Sequence, residues 1–508
     1  MTCSAPSHRR SFLAKASALA AAQVACALPA PTARAAQATL VGLSAVEAVA
    51  AMRAGDLKCE EYAQALLDRS ASLKSLNAYI SQDRDAVLEA ARAADKKRAS
   101  GATLGALHGL PVPIKDSINT KGLPTTSGTP ALRNFRPKQD APVAKMLFDA
   151  GALLLGKTNL HELSFGWTSN NLAFGAVHNP YDPARIPGGS SGGTAVAVAT
   201  AMAPAGLAED TCGSIRVPAA LSGIKGYRPS KFRWPAEGVM PLTTIFDTVG
   251  PHARSVADLI LFDSVVTGDT RPAVARSLRG VKLGVIRDFY YSDLDPEVER
   301  VTDSALGRLR DAGAQLLEAP LPELEKLWQV ATFPIIQHET RPTITEYLQT
   351  FGTGVTWDRL VAEASEDIKR DFGLFVLDGG QFHAPKEVYE EARKTHRPAL
   401  QNAFRRYFRE QGVAAIVYPT TMIPAPPIGQ DMEVEIRGKK VPFYVAMSRN
   451  IAPASTAGIP GLVLPGGLTK DGLPVGIEFD APVGRDRELL ALGLVLEHAL
   501  GPIPVPNV

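Results

Sequence analysis

The chain of 508 residues is 45% hydrophobic and 21% charged, with a formal net charge of +2, the balance of an ordinary soluble globular protein. Near-neutrality removes the electrostatic case for nucleic acid or an anionic membrane surface, since either needs an extended basic face. Of the four cysteines, Cys3 and Cys26 fall in a leader, and Cys59 and Cys212 alone make neither a disulfide framework nor a zinc site.

Residues 1–35 read as an export signal. Arg9-Arg10 before Ser11, Phe12 and Leu13 resembles the twin-arginine pattern, and an Ala/Leu run leads to the small-residue site Ala33-Arg34-Ala35. The run is too short and too rich in alanine to span a bilayer, so no membrane insertion is expected. A disordered basic tail is the plainer alternative. The expectation is a periplasmic or secreted protein starting near Ala36.

From Ser44 the pattern is helical. "SAVEAVAAMRAG" opens on a serine cap with glutamate three residues on and closes at Gly55. "CEEYAQALLDRSASL" and "DAVLEAARAADKKRAS" repeat that spacing, giving a helical segment over 36–104 packed on a core that begins at Gly105. "LHGLPVPIKD" reads as a buried strand ending in a loop at Lys115, and "APVAKMLFDAGALLLGKTN" as a helix, a glycine stop at Gly151 and a strand over Ala152–Leu155. "SSGGTAVAVATAMAPAGLAED" is a glycine loop, a small-residue helix and a strand to Leu207. About 268–411 is more polar and helical, strands return in "VAAIVYPTT", "PGLVLPGG" and "LPVGIEF", and "DRELLALGLVLEHAL" closes with a helix. The alternation predicts one large α/β domain over 105–508 with a helical insertion.

Chemistry concentrates in "IPGGSSGGTAVAV" (Ser190, Ser191) and "AEDTCGSIRVPAA" (Ser214). A serine hydroxyl needs a base before it is nucleophilic. The glycine loop lacks the Gly-Lys-Ser/Thr ending of a phosphate loop, and "NPYDPARIP" is loop where a nucleophile elbow needs a strand. Asp210-Thr211-Cys212-Gly213-Ser214 follows a predicted strand and can aim successive backbone N–H groups at one point, as an oxyanion hole does; a structural glycine turn is the plain alternative. Lys115, at the end of an apolar strand, is a base if burial leaves its amine uncharged, or an ordinary lysine reaching solvent.

The combined motifs resolve this. "GGSSGG" at 188–193, "DTCGSIRVPA" at 210–219, "GLPVPIKDSINTKGLPTTSGT" upstream, "DTVGPHARSVADL" at 247–259 and "GLPVGIEF" at 472–479 resemble the amidase signature family over about residues 44–500. The resemblance implies a central mixed β-sheet flanked by helices on both faces, and a serine–serine–lysine set with Ser214 as nucleophile, Ser190 after a cis peptide from Gly189 as proton relay, and Lys115 as base. Ser191, Asp210 and Arg216 become supports, the backbone of Thr211, Cys212, Gly213 and Ser214 the oxyanion hole, and no metal or organic cofactor is implied. Cys212 stands where the family usually has glycine; its thiol is also weighed as a nucleophile, and its Cβ as an obstacle to the turn.

Within the family, "NPYDPARIPGGSSGGTAVAVA" and "MAPAGL" look like the indoleacetamide and mandelamide hydrolases. That resemblance implies a small arylalkyl amide as partner. Phe165–Asn171, Trp328, Phe333, Phe372, Phe375 and Phe382 are the pocket candidates, with core packing the alternative for each aromatic. Anilides, carbamates and peptide C-terminal amides remain open, as do a homodimer and an inactive binding protein on the same fold; the glutamine-hydrolysing amidotransferase subunit is disfavoured by the export signal.

Overall fold

The computed structural model describes residues 40–274 and 277–508. The expected export signal lies outside the described residues. The anticipated first helix is Ala45–Ala54, with Ser44 and Glu47 forming a reciprocal capping box and Gly55 ending it in the left-handed conformation. Helices Cys59–Ser72 and Arg84–Ala99 follow. Between them β1 (Tyr79–Ser81) adds an edge strand that the helical reading of this segment did not include.

The remaining strands of the main sheet are β2 (Pro111–Lys115), β3 (Leu153–Thr158), β6 (Ala205–Asp210), β7 (Lys225–Arg228), β8 (Thr248–Ala253), β9 (Lys282–Val285), β10 (Gln315–Glu318), β11 (Ala415–Pro419), β14 (Gly461–Leu468) and β15 (Pro474–Asp480). Two short hairpins, β4/β5 (Asn170–Asn171 with Gly175–Ala176) and β12/β13 (Glu433–Ile436 with Lys439–Pro442), stand apart from it. The order across the 11-stranded sheet is β1-β3-β2-β6-β8-β7-β14-β15-β11-β9-β10. Pairings β2/β3, β2/β6, β9/β10 and β9/β11 are parallel and the others antiparallel, so the sheet is mixed.

Helices flank this sheet in one large α/β domain, and Val112, Ile114, Leu155, Leu207, Val249, Leu462 and Phe479 are wholly buried in its core. β2 is an unusual inner strand because it holds two prolines, which cannot donate to a ladder. The register shifts at Pro113 against β3, and the pairing with β6 is reduced to Ile114 opposite Leu207. The strand survives because all five of its residues are buried.

The 268–411 stretch is helical, as expected, over Pro296–Asp311, Glu323–Thr350, Arg397–Gln411 and the shorter helices between the last two. It is not only an insertion, because β9 and β10 also lie within it and extend the sheet. β6 runs to Asp210, three residues past the strand end expected from sequence.

Candidate active site

Lys115 is the last residue of β2 and is wholly buried, not solvent-directed. Its Nζ donates to Ser190 Oγ at 2.6 Å and to Glu209 Oε1 at 2.5 Å. Burial pushes its pKa below the usual lysine range, while the Glu209 carboxylate pulls the other way. A second wholly buried lysine, Lys157, is pushed down to about 8 by burial. Its Nζ donates to the Ile118 carbonyl at 2.5 Å and to Thr125 Oγ1 at 2.7 Å, and faces Asp116 at 3.5 Å. Only the first of these two amines bonds to a serine of the site.

The glycine loop brings Ser190 to that amine. The Gly189–Ser190 peptide is cis, and Gly188 sits at φ +87, where a Cβ would lie 2.8 Å from Pro218 Cα. Ser191 serves structure: its Oγ donates to the Glu209 carbonyl at 3.2 Å and its N–H to the Ser214 carbonyl at 3.3 Å. The helix Gly192–Ala199 then packs inside the protein on its small side chains.

The Ser214 loop leaves β6 and enters the helix Arg216–Leu221. Asp210 organises it, accepting from the N–H of Gly213 at 2.7 Å and of Ile215 at 3.1 Å, from Arg216 Nε at 3.1 Å and from Arg228 Nη1 at 2.9 Å. Burial opposes the charge of this carboxylate, but Arg216 and Arg228 hold it well below the usual range. Asp210 and Arg216 are thereby bonded to each other within the loop that carries Ser214.

Gly213 departs from its expected role. Its N–H is committed to Asp210, whereas those of Thr211, Cys212 and Ser214 make no hydrogen bond among the described residues. What Gly213 supplies is conformation: its φ is +106, and a Cβ there would meet Ile451 Cδ1 at 1.9 Å.

Cys212 imposes no such strain, because it is not among the residues with positive φ. Burial pushes its thiol up to about 12, so it is not a ready thiolate nucleophile. The Ser214 hydroxyl makes no hydrogen bond among the described residues, so in this geometry Lys115 and Ser190 are joined and Ser214 stands by them unlinked.

Glu209 is a buried partner of Lys115 that the sequence reading does not single out; of the two adjacent acids only Asp210 is considered there. The signal was available: two adjacent carboxylates at the end of an apolar strand have to point to opposite sides. Glu209 is buried and accepts from Lys115, from Ser164 Oγ at 2.6 Å and from Ser117 Oγ at 3.3 Å, all on Oε1.

Against this geometry, comparison with known proteins is decisive. The family model described as Amidase matches residues 61–490. The chain belongs to the amidase family. It is 39% identical over 457 residues to an indoleacetamide hydrolase of Agrobacterium vitis, covering 90% of this chain and 97% of that one. It is 38% identical over 480 residues to a mandelamide hydrolase of Pseudomonas putida, covering 92% and 93%. A crystal structure of an amidase superposes with a TM-score of 0.80 at 32% identity, covering 90% of this chain and all of the other. The protein is an amide-hydrolysing enzyme.

The pocket candidates of this amidase divide. Trp167 Nε1 donates to the Cys212 carbonyl at 2.8 Å, and Ser169 Oγ donates to the carbonyls of Gly188 and Ser190 at 2.9 and 3.1 Å. The Phe165–Asn171 loop therefore ties both serine loops together. Phe372 packs edge-on against Phe165, with centroids 5.0 Å apart, and stacks on Trp357. Trp328 lies in the core against Phe289 and Phe333. Phe375 and Phe382 stack on each other, and Phe382 is 49% exposed. For Trp328 and Phe372, core packing is the role observed.

Proposed function

We propose that this amidase hydrolyses small primary amides of arylalkyl carboxylic acids to the acid and ammonia, through an acyl-enzyme on Ser214. The observation that carries the reading is the 2.6 Å bond from Lys115 Nζ to Ser190 Oγ inside a wholly buried site. Neutral Lys115 takes a proton from Ser190 as Ser190 takes one from Ser214, whose Oγ attacks the amide carbon. The free N–H groups of Thr211, Cys212 and Ser214 receive the oxyanion, each such donor being worth about 3 kcal/mol.

The same path run backwards protonates the leaving nitrogen, which would otherwise not depart. Water then releases the acid from Ser214. The Ser190–Ser214 link closes in the substrate complex, because catalytic hydrogen bonds in empty sites are often long and tighten on binding.

The arylalkyl preference is supported by the indoleacetamide and mandelamide hydrolases among the relatives and by Phe165 and Trp167 beside the catalytic loops. The test is a kcat/KM panel on the purified chain with indole-3-acetamide, mandelamide and phenylacetamide against an anilide, a carbamate, a peptide C-terminal amide and an ester. The arylalkyl amides are expected to rank first. A higher value on another amide class moves the substrate assignment there, and no hydrolysis of any amide points to a binding protein on this fold. We also propose a periplasmic or secreted location from the twin-arginine-like leader, which cell fractionation of the full chain tests.

A further inference from the structure

Nothing in a serine–serine–lysine relay requires a carboxylate on the lysine. Here one is built in. Glu209 is the penultimate residue of β6, almost fully buried, with Oε1 2.5 Å from Lys115 Nζ. Ser164 and Ser117, from two separate loops, both aim hydroxyls at that same oxygen, at 2.6 and 3.3 Å. The residue also lines a cavity of about 180 Å³ shared with Asp247, Lys231 and Thr244. A carboxylate serving only to fill space would not be placed against a buried amine and steadied by two hydroxyls, because an unpaired buried charge is costly. The arrangement is that of a counter-ion.

From this geometry we infer that Glu209 is a positioning residue that sets the proton affinity of Lys115 and stabilises the ammonium formed when the relay runs. The inference rests on the reading of Lys115 as the base. The proton count is simple. The Ser214 O–H proton passes to Ser190 Oγ as the Ser190 proton passes to Lys115 Nζ, making –NH3+. The Glu209 carboxylate takes no part in the transfer and faces that charge, and the proton returns by Ser190 to the leaving nitrogen.

Other charged and titratable groups surround the amine. Asp210 shares β6, Asp247 precedes β8 and His252 lies within it, and His161 follows β3. Lys157 and Asp116 close on each other. Burial pushes both histidines down to about 4, so they are neutral across the working range. Asp210 is committed to Arg216 and Arg228. Glu209 is the carboxylate in direct contact.

The sign follows. A carboxylate at this distance favours the ammonium, so it moves the pH at which the amine becomes free upward. Glu209→Gln removes the charge and keeps the shape. The acid limb of the kcat/KM profile on phenylacetamide is then expected to move down by roughly one to three pH units. The plateau is expected to fall on the order of tenfold to a hundredfold, because the base is weaker and its ammonium unpaired. The pH dependence of inactivation by a fluorophosphonate, which reports Ser214 nucleophilicity without a leaving amine, should move the same way. Glu209→Asp should restore part of the limb position.

Ser164→Ala strips a donor from Oε1, strengthens the carboxylate's hold on the amine and should move the limb upward. It carries the test if Glu209→Gln does not fold. A plateau that falls with the limb unmoved, or a limb that moves the wrong way, overturns the proposal and leaves Glu209 a structural group. Lys115→Ala separates the two readings. Full turnover in that variant removes the base assignment itself, whereas loss of turnover with an unmoved Glu209→Gln limb removes only the role of Glu209.

Discussion

Ser214→Ala is expected to lower kcat on amides by on the order of 10^4-fold or more, leaving only what binding and the oxyanion donors supply. On the proposed mechanism the effect is large because the neighbouring nucleophilic groups are otherwise engaged or protonated. Ser190 is held by Lys115 at 2.6 Å, the Ser191 hydroxyl donates to the Glu209 carbonyl, and the Cys212 thiol is pushed up to about 12. A fluorophosphonate should add one group to the native protein and none to the variant, read by intact mass. Turnover near the native value would remove Ser214 from the mechanism. A variant that is inactive yet still labelled would shift the nucleophile to Ser190 or Ser191.

Asp210→Asn is expected to destabilise the fold by about 3–5 kcal/mol, the usual cost of removing one partner from a buried ion pair. Here the loss is aggravated because the one carboxylate faces two wholly buried guanidiniums. Arg228 would lose its buried carboxylate partner, Arg216 would keep only Glu478 at 3.7 Å, and the Gly213 and Ile215 N–H groups would lose a charged acceptor. Denaturant unfolding followed by tryptophan fluorescence measures this. A change of less than about 1 kcal/mol, the range of an exposed pair, would mean that the network contributes little. Activity should fall together with stability, because the same carboxylate shapes the loop that presents Ser214.

Much of this molecule is legible along the chain because its signals are local. The Ser44–Glu47 box and Gly55 bound one helix by hydrogen bonds spanning only a few residues, and a run such as "PVPIK" has nowhere to go but a buried strand. The three residues of the proposed relay are singled out only through the combined motifs, since Lys115 is joined to Ser190 by folding and not by proximity in sequence. What escaped depends on distant partners. β9 is four residues in a helical stretch and becomes a strand by lying parallel to β11, more than a hundred residues later. The Gly213 N–H is diverted to Asp210 by a loop closure that no spacing reveals. Glu209 lies beyond the expected strand end at Leu207, and its contact with Lys115 joins two strands almost a hundred residues apart in sequence.

The indole of Trp167 holds the carbonyl of Cys212, and the hydroxyl of Ser169 holds the carbonyls of Gly188 and Ser190. Recognition and rate are thereby mechanically one device. On the proposed mechanism, an acyl group that seated badly against Phe165 or Trp167 would tilt the donors that meet the developing negative charge, and only interactions stronger at that moment than before it accelerate the chemistry. Poor fits on this scaffold are punished in turnover number and not merely in affinity, so reshaping its selectivity means reworking the segment that also tunes its catalytic power.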